Sequence, residues 1–507
     1  MEQFLKNLIN TLNKNYNVSM TENGAIGYRT TGKELLDLNF AVSSLRNVED
    51  SEVITAFAKA FFQDRNLAVK WLFFAGDVRG GMGERRLFRL GLTFLAYQDP
   101  QMALKVLDLV PEYTRWDNYL ALLNSPIHAN VVDILKKQLD EDVEDMKAGK
   151  PISLLGKWMP SINASSNETR KYALTLAQSF GWTAKDYRKT LASLRAYLKV
   201  VEVTMSDKRW SDIDYESVPS RANLLYSKAF ERNDTERRKA YLEKLELGEA
   251  KINSSVLFPH DIVTKYSNGE IWNPKLRPLD TALEGMWKAL PDFVQGNDST
   301  ICVADGSGSM TNLIIKSQST ALDVANAIAI YFAERCAGAF KDKYITFSEN
   351  PQLVDLHNAK SLHDKIRIAL SHNEVANTNI EAVFDLVLDT AKTSKMKQAE
   401  LPKNILILSD MEFDYAIDDD VDEKLFESIK KRYDDAGFKL PRLVFWNILS
   451  RTRTIPIIEN ELGVALVSGF SPTVLNMVLS NILDPFECLL YQLNSKRYQP
   501  VEDALNS

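Results

Sequence analysis

Cysteine is scarce in this chain: Cys302, Cys336 and Cys488 are the three in 507 residues, far apart and without a CxxC pair. That argues against a disulfide framework and against a thiolate zinc site, and leaves inert core thiols in a reducing compartment as the expectation. Histidine is nearly as sparse. The five residues are dispersed, so no Ser/His/Asp or Cys/His arrangement can be assembled, and the chain is not expected to be an enzyme. No apolar run approaches the roughly 18 residues that cross a bilayer. The opening Met1-Glu2-Gln3-Phe4-Leu5-Lys6 lacks the continuous apolar stretch of a secretory signal. A cytoplasmic protein with no membrane partner is therefore expected.

What is present is ordinary globular material, 45% apolar and 25% charged, in a length that calls for two or three domains. The net charge of −7 conceals an asymmetry. Residues 1–290 carry 40 Lys+Arg against 37 Asp+Glu, a net of +3, and residues 291–507 carry 21 against 31, a net of −10. Residues 151–200 alone hold 8 basic and 2 acidic side chains, so a polyanion-binding face belongs there if anywhere.

Periodicity divides the chain. Over residues 35–290 apolar side chains recur at three- and four-residue spacing with almost no β-branched alternation, which predicts an irregular, HEAT-like array of short helices. Residues 251–298 are a proline-rich connector with at most one short helix, Thr281–Ala289. From 299 the pattern alternates: strands at Ile301–Ala304, Tyr344–Phe347, Leu353–Leu356, Ile405–Leu408, Arg442–Ile448 and Val464–Val467 are separated by helical stretches, among them one beginning near Lys316 and one at Asp422–Asp435. This predicts a doubly wound, mostly parallel sheet. The expected domains are 1–290 (helical), 299–470 (α/β) and a helical tail, 471–507, packed back on the body.

The chemistry concentrates at strand ends. Asp305-Gly306-Ser307-Gly308-Ser309-Met310 follows the first strand, Thr378 lies in the loop Ala376-Asn377-Thr378-Asn379, and Asp410 directly follows the strand ending at Ser409. In an open α/β sheet, loops at the C-terminal strand ends form the ligand crevice. Two acids and three hydroxyls suit a hard cation such as Mg²⁺ or another divalent ion. Competing motifs fail on spacing: a dinucleotide fingerprint needs glycine at 311, which is Thr, and a nucleophile elbow needs glycine two places before the serine. The acidic run Asp418–Glu423 lacks EF-hand spacing and reads as a solvated helix start, as does Asp140–Asp145.

Asp-x-Ser-x-Ser with a later Thr and a later Asp resembles the metal-ion-dependent adhesion site of von Willebrand factor A domains. The resemblance implies that Ser307, Ser309 and Thr378 supply metal-bound hydroxyls, that Asp305 and Asp410 hold coordinating waters, and that a protein partner donates a carboxylate to the open position. Gly306 departs from the bulkier residue usual there, and Ala376-Asn377 replaces a common glycine pair. The phrases Asp77-Val78-Arg79-Gly80-Gly81-Met82-Gly83-Glu84-Arg85-Arg86, Pro111-Glu112-Tyr113-Thr114-Arg115-Trp116-Asp117 and Lys157-Trp158-Met159-Pro160-Ser161, ahead of an A domain, resemble the Ro autoantigen architecture, a TROVE module plus an A domain. They resemble still more a related uncharacterised family found in phages and plants. Ro-type proteins bind small structured or misfolded RNA in a helical ring, which would make this chain a ribonucleoprotein component.

Residue chemistry offers that reading some footing. Lys185, Arg188, Lys189, Arg195 and Lys199 recur at helical spacing near Tyr187 and Tyr197, a pattern suited to phosphates and unstacked bases. Arg79, Arg85, Arg86 and Arg89 flank a glycine-rich loop ahead of a helix, a second phosphate candidate. In both cases a solvated basic helix face is the competing reading. A structural or assembly protein, virus-encoded and using both halves for protein contacts, is the alternative function. A metal-dependent hydrolase ranks last, because no general base accompanies the hydroxyl-rich site.

Overall fold

A computed structural model describes residues 16–267, 275–297, 299–314, 319–414, 424–480 and 482–507. The acidic run at 418–423, the turn at Asn268-Gly269 and the stretch around Lys316 lie outside the described residues, as does the predicted helix start at Asp422. The chain divides into two units, one built from residues up to Arg65 together with Leu257–Ser495, the other from Asn66–Val256 together with Lys496–Ser507.

The first unit is organised on a sheet. A short antiparallel hairpin, β1 (Ser19–Met20) and β2 (Ile26–Gly27), lies near the start of the described residues. The main strands are β3 (Thr300–Asp305), β4 (Lys343–Phe347), β5 (Gln352–Asp355), β6 (Asn404–Ser409), β7 (Arg442–Asn447) and β8 (Val464–Ser468). They lie in the order β5-β4-β3-β6-β7-β8, parallel except for the edge strand β5. Every residue of β3, β6, β7 and β8 is buried, as expected of strands covered on both faces. The helix Ala321–Arg335 follows β3 and is buried along most of its length. It starts at a capping box in which Thr320 Oγ1 accepts the Asp323 N–H at 3.0 Å and Asp323 Oδ2 accepts the Thr320 N–H at 2.8 Å. The strand order reverses between β3 and β6, so the crevice predicted by the topology opens beyond Asp305 and Ser409.

The second unit is helical, with lengths from the four residues of Val110–Tyr113 to the twenty of His128–Lys147. Trp71, Phe73, Phe74, Phe88, Tyr113 and Tyr498 are among its fully buried side chains. Gly81 is obligatory here: a Cβ would lie 1.9 Å from the Phe74 carbonyl oxygen.

The helical half and the doubly wound sheet both match the sequence reading; the boundaries do not. Residues 16–65 belong to the sheet unit. Ser43 donates its N–H to the Ser468 hydroxyl oxygen at 3.0 Å and its own hydroxyl to the Asn447 carbonyl at 2.9 Å, and Asn39 Nδ2 donates to the Leu466 carbonyl. The tail divides: 471–495 stays with the sheet unit, while 496–507 completes the helical one, where buried Asp77 accepts from Arg497 Nη2 at 2.8 Å and from the Tyr498 hydroxyl at 3.1 Å. The connector holds two helices, Pro259–Tyr266 and Thr281–Lys288. Pro259 opens the first of them: at the first helical position a proline starts a helix instead of breaking it. Asp140–Asp145 does not open a helix either. It sits near the end of His128–Lys147, where Asp142 is buried and accepts the Ser153 N–H at 2.9 Å and its hydroxyl at 2.7 Å. Cys302, Cys336 and Cys488 are buried and unpaired, as predicted.

Candidate functional site

Sheet register brings the two acids of the strand ends together. Ala304 pairs with Leu408, so Asp305 ends β3 level with Ser409, and Asp410 follows. The Ser409 hydroxyl donates to Asp305 Oδ2 at 2.6 Å, and the Ser307 N–H donates to Asp305 Oδ1 at 2.9 Å. The hydroxyls of Ser307 and Ser309 are 3.2 Å apart, and the Ser309 hydroxyl is hydrogen-bonded to Asp410. The third loop is laced to the first: Val375 N–H donates to the Gly306 carbonyl at 3.1 Å and Gly308 N–H to the Ala376 carbonyl at 3.0 Å. Thr378, buried on that loop, is fixed by its N–H to Asp414 Oδ2 at 3.0 Å. Val375 and Met411, one beside each loop, sit at φ +54° and +64°. A left-handed β-branched valine is strained backbone of the kind concentrated at sites.

Both departures from the adhesion pattern have physical reasons. A Cβ on Gly306 would stand 3.1 Å from Thr346 Oγ1 and 3.4 Å from Asn373 Oδ1, so the position has little room for a side chain. Ala376 and Asn377 are held by Ser348, whose hydroxyl accepts the Ala376 N–H at 2.8 Å and donates to the Asn377 carbonyl at 3.0 Å.

Burial pushes both acids up. For Asp305 the neighbouring Asp410 charge adds to the rise; for Asp410 the Arg451 guanidinium opposes it. Among the described residues no cluster of three or more His, Cys, Asp or Glu side chains has metal-site geometry. The donor set is instead two buried carboxylates and clustered hydroxyls, chemistry that suits a small hard cation keeping several waters.

Several neighbours carry no sequence signal. Arg451 Nη1 donates to Asp410 Oδ2 at 2.9 Å, and its Nε donates to Glu22 Oε2 at 2.7 Å. Asn23 Nδ2 donates to Thr378 Oγ1 at 3.2 Å and to the Glu412 carbonyl at 2.7 Å. Glu412 is buried, and its carboxylate accepts the N–H groups of Glu22, Arg451 and Thr452.

In the helical unit the basic candidates separate. Lys185, Arg188 and Lys189 project from Ala184–Tyr197, exposed and without ion pairs among the described residues, and Lys199 is exposed just beyond the helix. Arg195 is different. Its Nε, Nη1 and Nη2 donate to the Gly156 carbonyl (2.9 Å), the Ser161 hydroxyl (2.7 Å) and the Met159 carbonyl (2.7 Å), so it braces the turn carrying Trp158 instead of facing solvent. Tyr187 is fully buried with its hydroxyl on the Pro160 carbonyl, which removes it as a stacking platform; Tyr197 remains partly exposed.

The glycine loop is likewise closed as an amide cradle. The N–H groups of Gly81, Met82, Gly83 and Glu84 donate to the carbonyls of Asp77, Phe74, Asp77 and Ala75. Arg79 is exposed beside it, and Arg86 is half-buried in the first turn of Arg85–Gln98. Arg85 joins a cluster with Arg89, Arg115 and Arg221. Arg85 is exposed by its surface area, yet desolvation by the protein packed around it, followed by the charges of Arg115 and Arg221, pushes its guanidinium down to about 10. Arg89 and Arg115 share Asp117, and Arg115 lies 4.1 Å over the ring of Trp158, with Lys157 at 5.6 Å. Cations in the first turn of a helix oppose its dipole, so Arg85 and Arg86 are not placed there for helix stability. The three phrases at 77–86, 111–117 and 157–161 therefore meet in one arginine-rich, tryptophan-containing cluster.

Residues 299–492 match the model of a domain of unknown function, DUF7788, and residues 164–297 match another, DUF2828. The chain is similar to Uncharacterized protein L728 of Acanthamoeba polyphaga mimivirus, 28% identical over 529 residues that cover 96% of this chain and 89% of the relative. Among solved structures it is similar to the crystal structure of Deinococcus radiodurans RO (RSR) protein, at 14% identity and a TM-score of 0.44, covering 81% of this chain and 89% of that one. Among the described residues no helix is long and apolar enough to cross a membrane.

Proposed function

We propose that this chain is a non-enzymatic, Ro-like RNA-binding protein of the cytoplasm, related to the phage and plant family named above, whose sheet unit carries an adhesion-type Mg²⁺ site for an acidic protein partner. The observation that carries the RNA half is the crowding of Arg85, Arg89, Arg115 and Arg221 near Trp158 with Asp117 as the shared carboxylate. Such a group offers phosphate neutralisation with an aromatic face beside it, the combination that single-stranded segments of structured RNA require. Lys185, Arg188 and Lys189 add exposed charge on the same unit. In the sheet unit, Ser307, Ser309 and Thr378 would hold the ion through hydroxyls, and Asp305 and Asp410 through waters. When bound, the ion supplies an open position for a partner's carboxylate, and the residues around it supply orientation and charge only.

Sequencing the nucleic acid that co-purifies with the protein tests the RNA half, with small structured or misfolded RNAs expected. Affinity for structured RNA with single-stranded ends no better than that of a neutral control protein at low salt would end it. The viral source of the mimivirus relative supports the alternative, an assembly protein using both halves for protein contacts. On that reading the purified protein carries no nucleic acid.

A further inference from the structure

One acid of the proposed metal site, Asp410, already has a cation on it. Arg451 Nη1 sits 2.9 Å from Asp410 Oδ2, while its Nε sits 2.7 Å from Glu22 Oε2 at the tip of the β1–β2 hairpin. One guanidinium thus bridges a fully buried carboxylate and a half-exposed one. Its backbone is not free to follow: the Arg451 N–H is fixed to Glu412 Oε1 at 2.6 Å, and Thr452 N–H to the same oxygen at 2.9 Å. Only the side chain can swing. The hairpin tip is independently tied to the site, through Glu22 N–H on Glu412 Oε2 at 2.9 Å and Asn23 Nδ2 on Thr378 Oγ1 at 3.2 Å.

We infer that Arg451 is a tethered cation competing with the divalent ion for Asp410, and that Glu22 is the counter-anchor that draws its guanidinium away. The inference rests on the metal reading above and adds two positioning residues to it. A guanidinium and a divalent ion on one carboxylate repel each other, so the ion binds best when the guanidinium is drawn to another anion. Glu22 is that anion, held within reach by the hairpin. Without metal, Arg451 neutralises Asp410 and keeps two buried acids from facing each other uncompensated.

The two residues therefore act on metal affinity with opposite signs. In the full chain, with Mn²⁺ alone as probe followed by electron paramagnetic resonance, Arg451→Met is expected to tighten binding about tenfold. Glu22→Gln is expected to weaken it about threefold, because the guanidinium then rests on Asp410 alone. The double variant should match Arg451→Met, since Glu22 acts only through Arg451. Equal or weaker binding by Arg451→Met, or a shift of Glu22→Gln in the same direction, overturns the inference; a merely structural pair would weaken both. Glu22 is half-exposed, so its variant tests the idea even if Arg451→Met folds poorly. If the wild type binds Mn²⁺, Asp305→Ala does not, and the two variants fail to diverge, the metal site stands and this inference falls. Absence of Mn²⁺ binding by the wild type removes both.

Discussion

In the sheet unit the charges that matter point inward. Asp305 and Asp410 are buried at a strand-order reversal, propped by Ser409, Ser307 and Arg451, and their environment asks for a cation. In the helical unit they lie outward or half-way out: Lys185, Arg188 and Lys189 on a helix face, Arg85, Arg89 and Arg115 around one aspartate, an arrangement that asks for an anion. Position is set by backbone register in the first case and by long flexible side chains in the second. Inward charge gives geometry; outward charge gives reach.

The sharpest way to break this contrast is to remove one inward acid. Asp305→Ala should abolish Mg²⁺ binding, read by isothermal titration, while leaving the fold intact, because deletion also relieves a buried like-charge pair. Unchanged metal affinity would mean the five residues do not act together. Next in size, reversing Lys185, Arg188 and Lys189 to Glu should weaken RNA binding by more than tenfold and lower the slope of log affinity against log salt by about two, at roughly 0.7 per phosphate contact on single strands. A slope equal to that of the wild type would make those lysines and arginine mere solvated surface.

Trp158→Ala should cost about 1–3 kcal/mol of RNA affinity with the salt slope unchanged, if a base stacks there. Arg195→Met should leave RNA binding alone yet destabilise the helical unit by about 2 kcal/mol in chemical denaturation, since it strips hydrogen bonds from Gly156, Met159 and Ser161. The smallest effect should be shared by both units. Burial raises the phenols of Tyr113 and Tyr331 to about 12. Raised folded-state values mean their contribution is intact below the ordinary tyrosine range near 10 and is lost as pH climbs from there through 12. Ultraviolet titration should show these tyrosines ionising late, in either unit.

The same contrast decides how much could be read from the chain. Strand-end residues were legible one by one, because alternation and apolar runs locate strand ends and the ends locate Asp305, Ser307, Ser309 and Asp410. Thr378 followed from the pattern those four began. Helical spacing says only that Arg195 and Lys185 share a helix, not which of them turns toward a neighbouring carbonyl, so Arg195 and Tyr187 were misplaced on the binding face. The glycine loop has the composition of a phosphate cradle, but its N–H groups are taken up by the carbonyls of Asp77, Phe74 and Ala75, a use that composition does not record. Arg451, Glu22 and Asn23 carry no local signal: Arg451 meets Asp410 across 41 residues, and Glu22 and Asn23 meet Arg451 and Thr378 across 429 and 355, separations that no local period records. The domain boundaries failed for that reason too, since residues 16–65 read as helical in isolation and find their partners in β7 and β8.

That interleaving bears on how the chain is made. The sheet unit needs residues near 40 to meet residues near 468, and the helical unit needs Asp77 to meet Arg497. The sheet unit cannot close before residues near 468 are made, nor the helical unit before Arg497, although Asn66–Val256 is synthesised far earlier. Long loops must be shut before these contacts reward it, which slows folding. The nascent chain therefore carries two unfinished cores at once, and a truncation just before Lys496 would leave the helical core open while every residue of the sheet unit is already present.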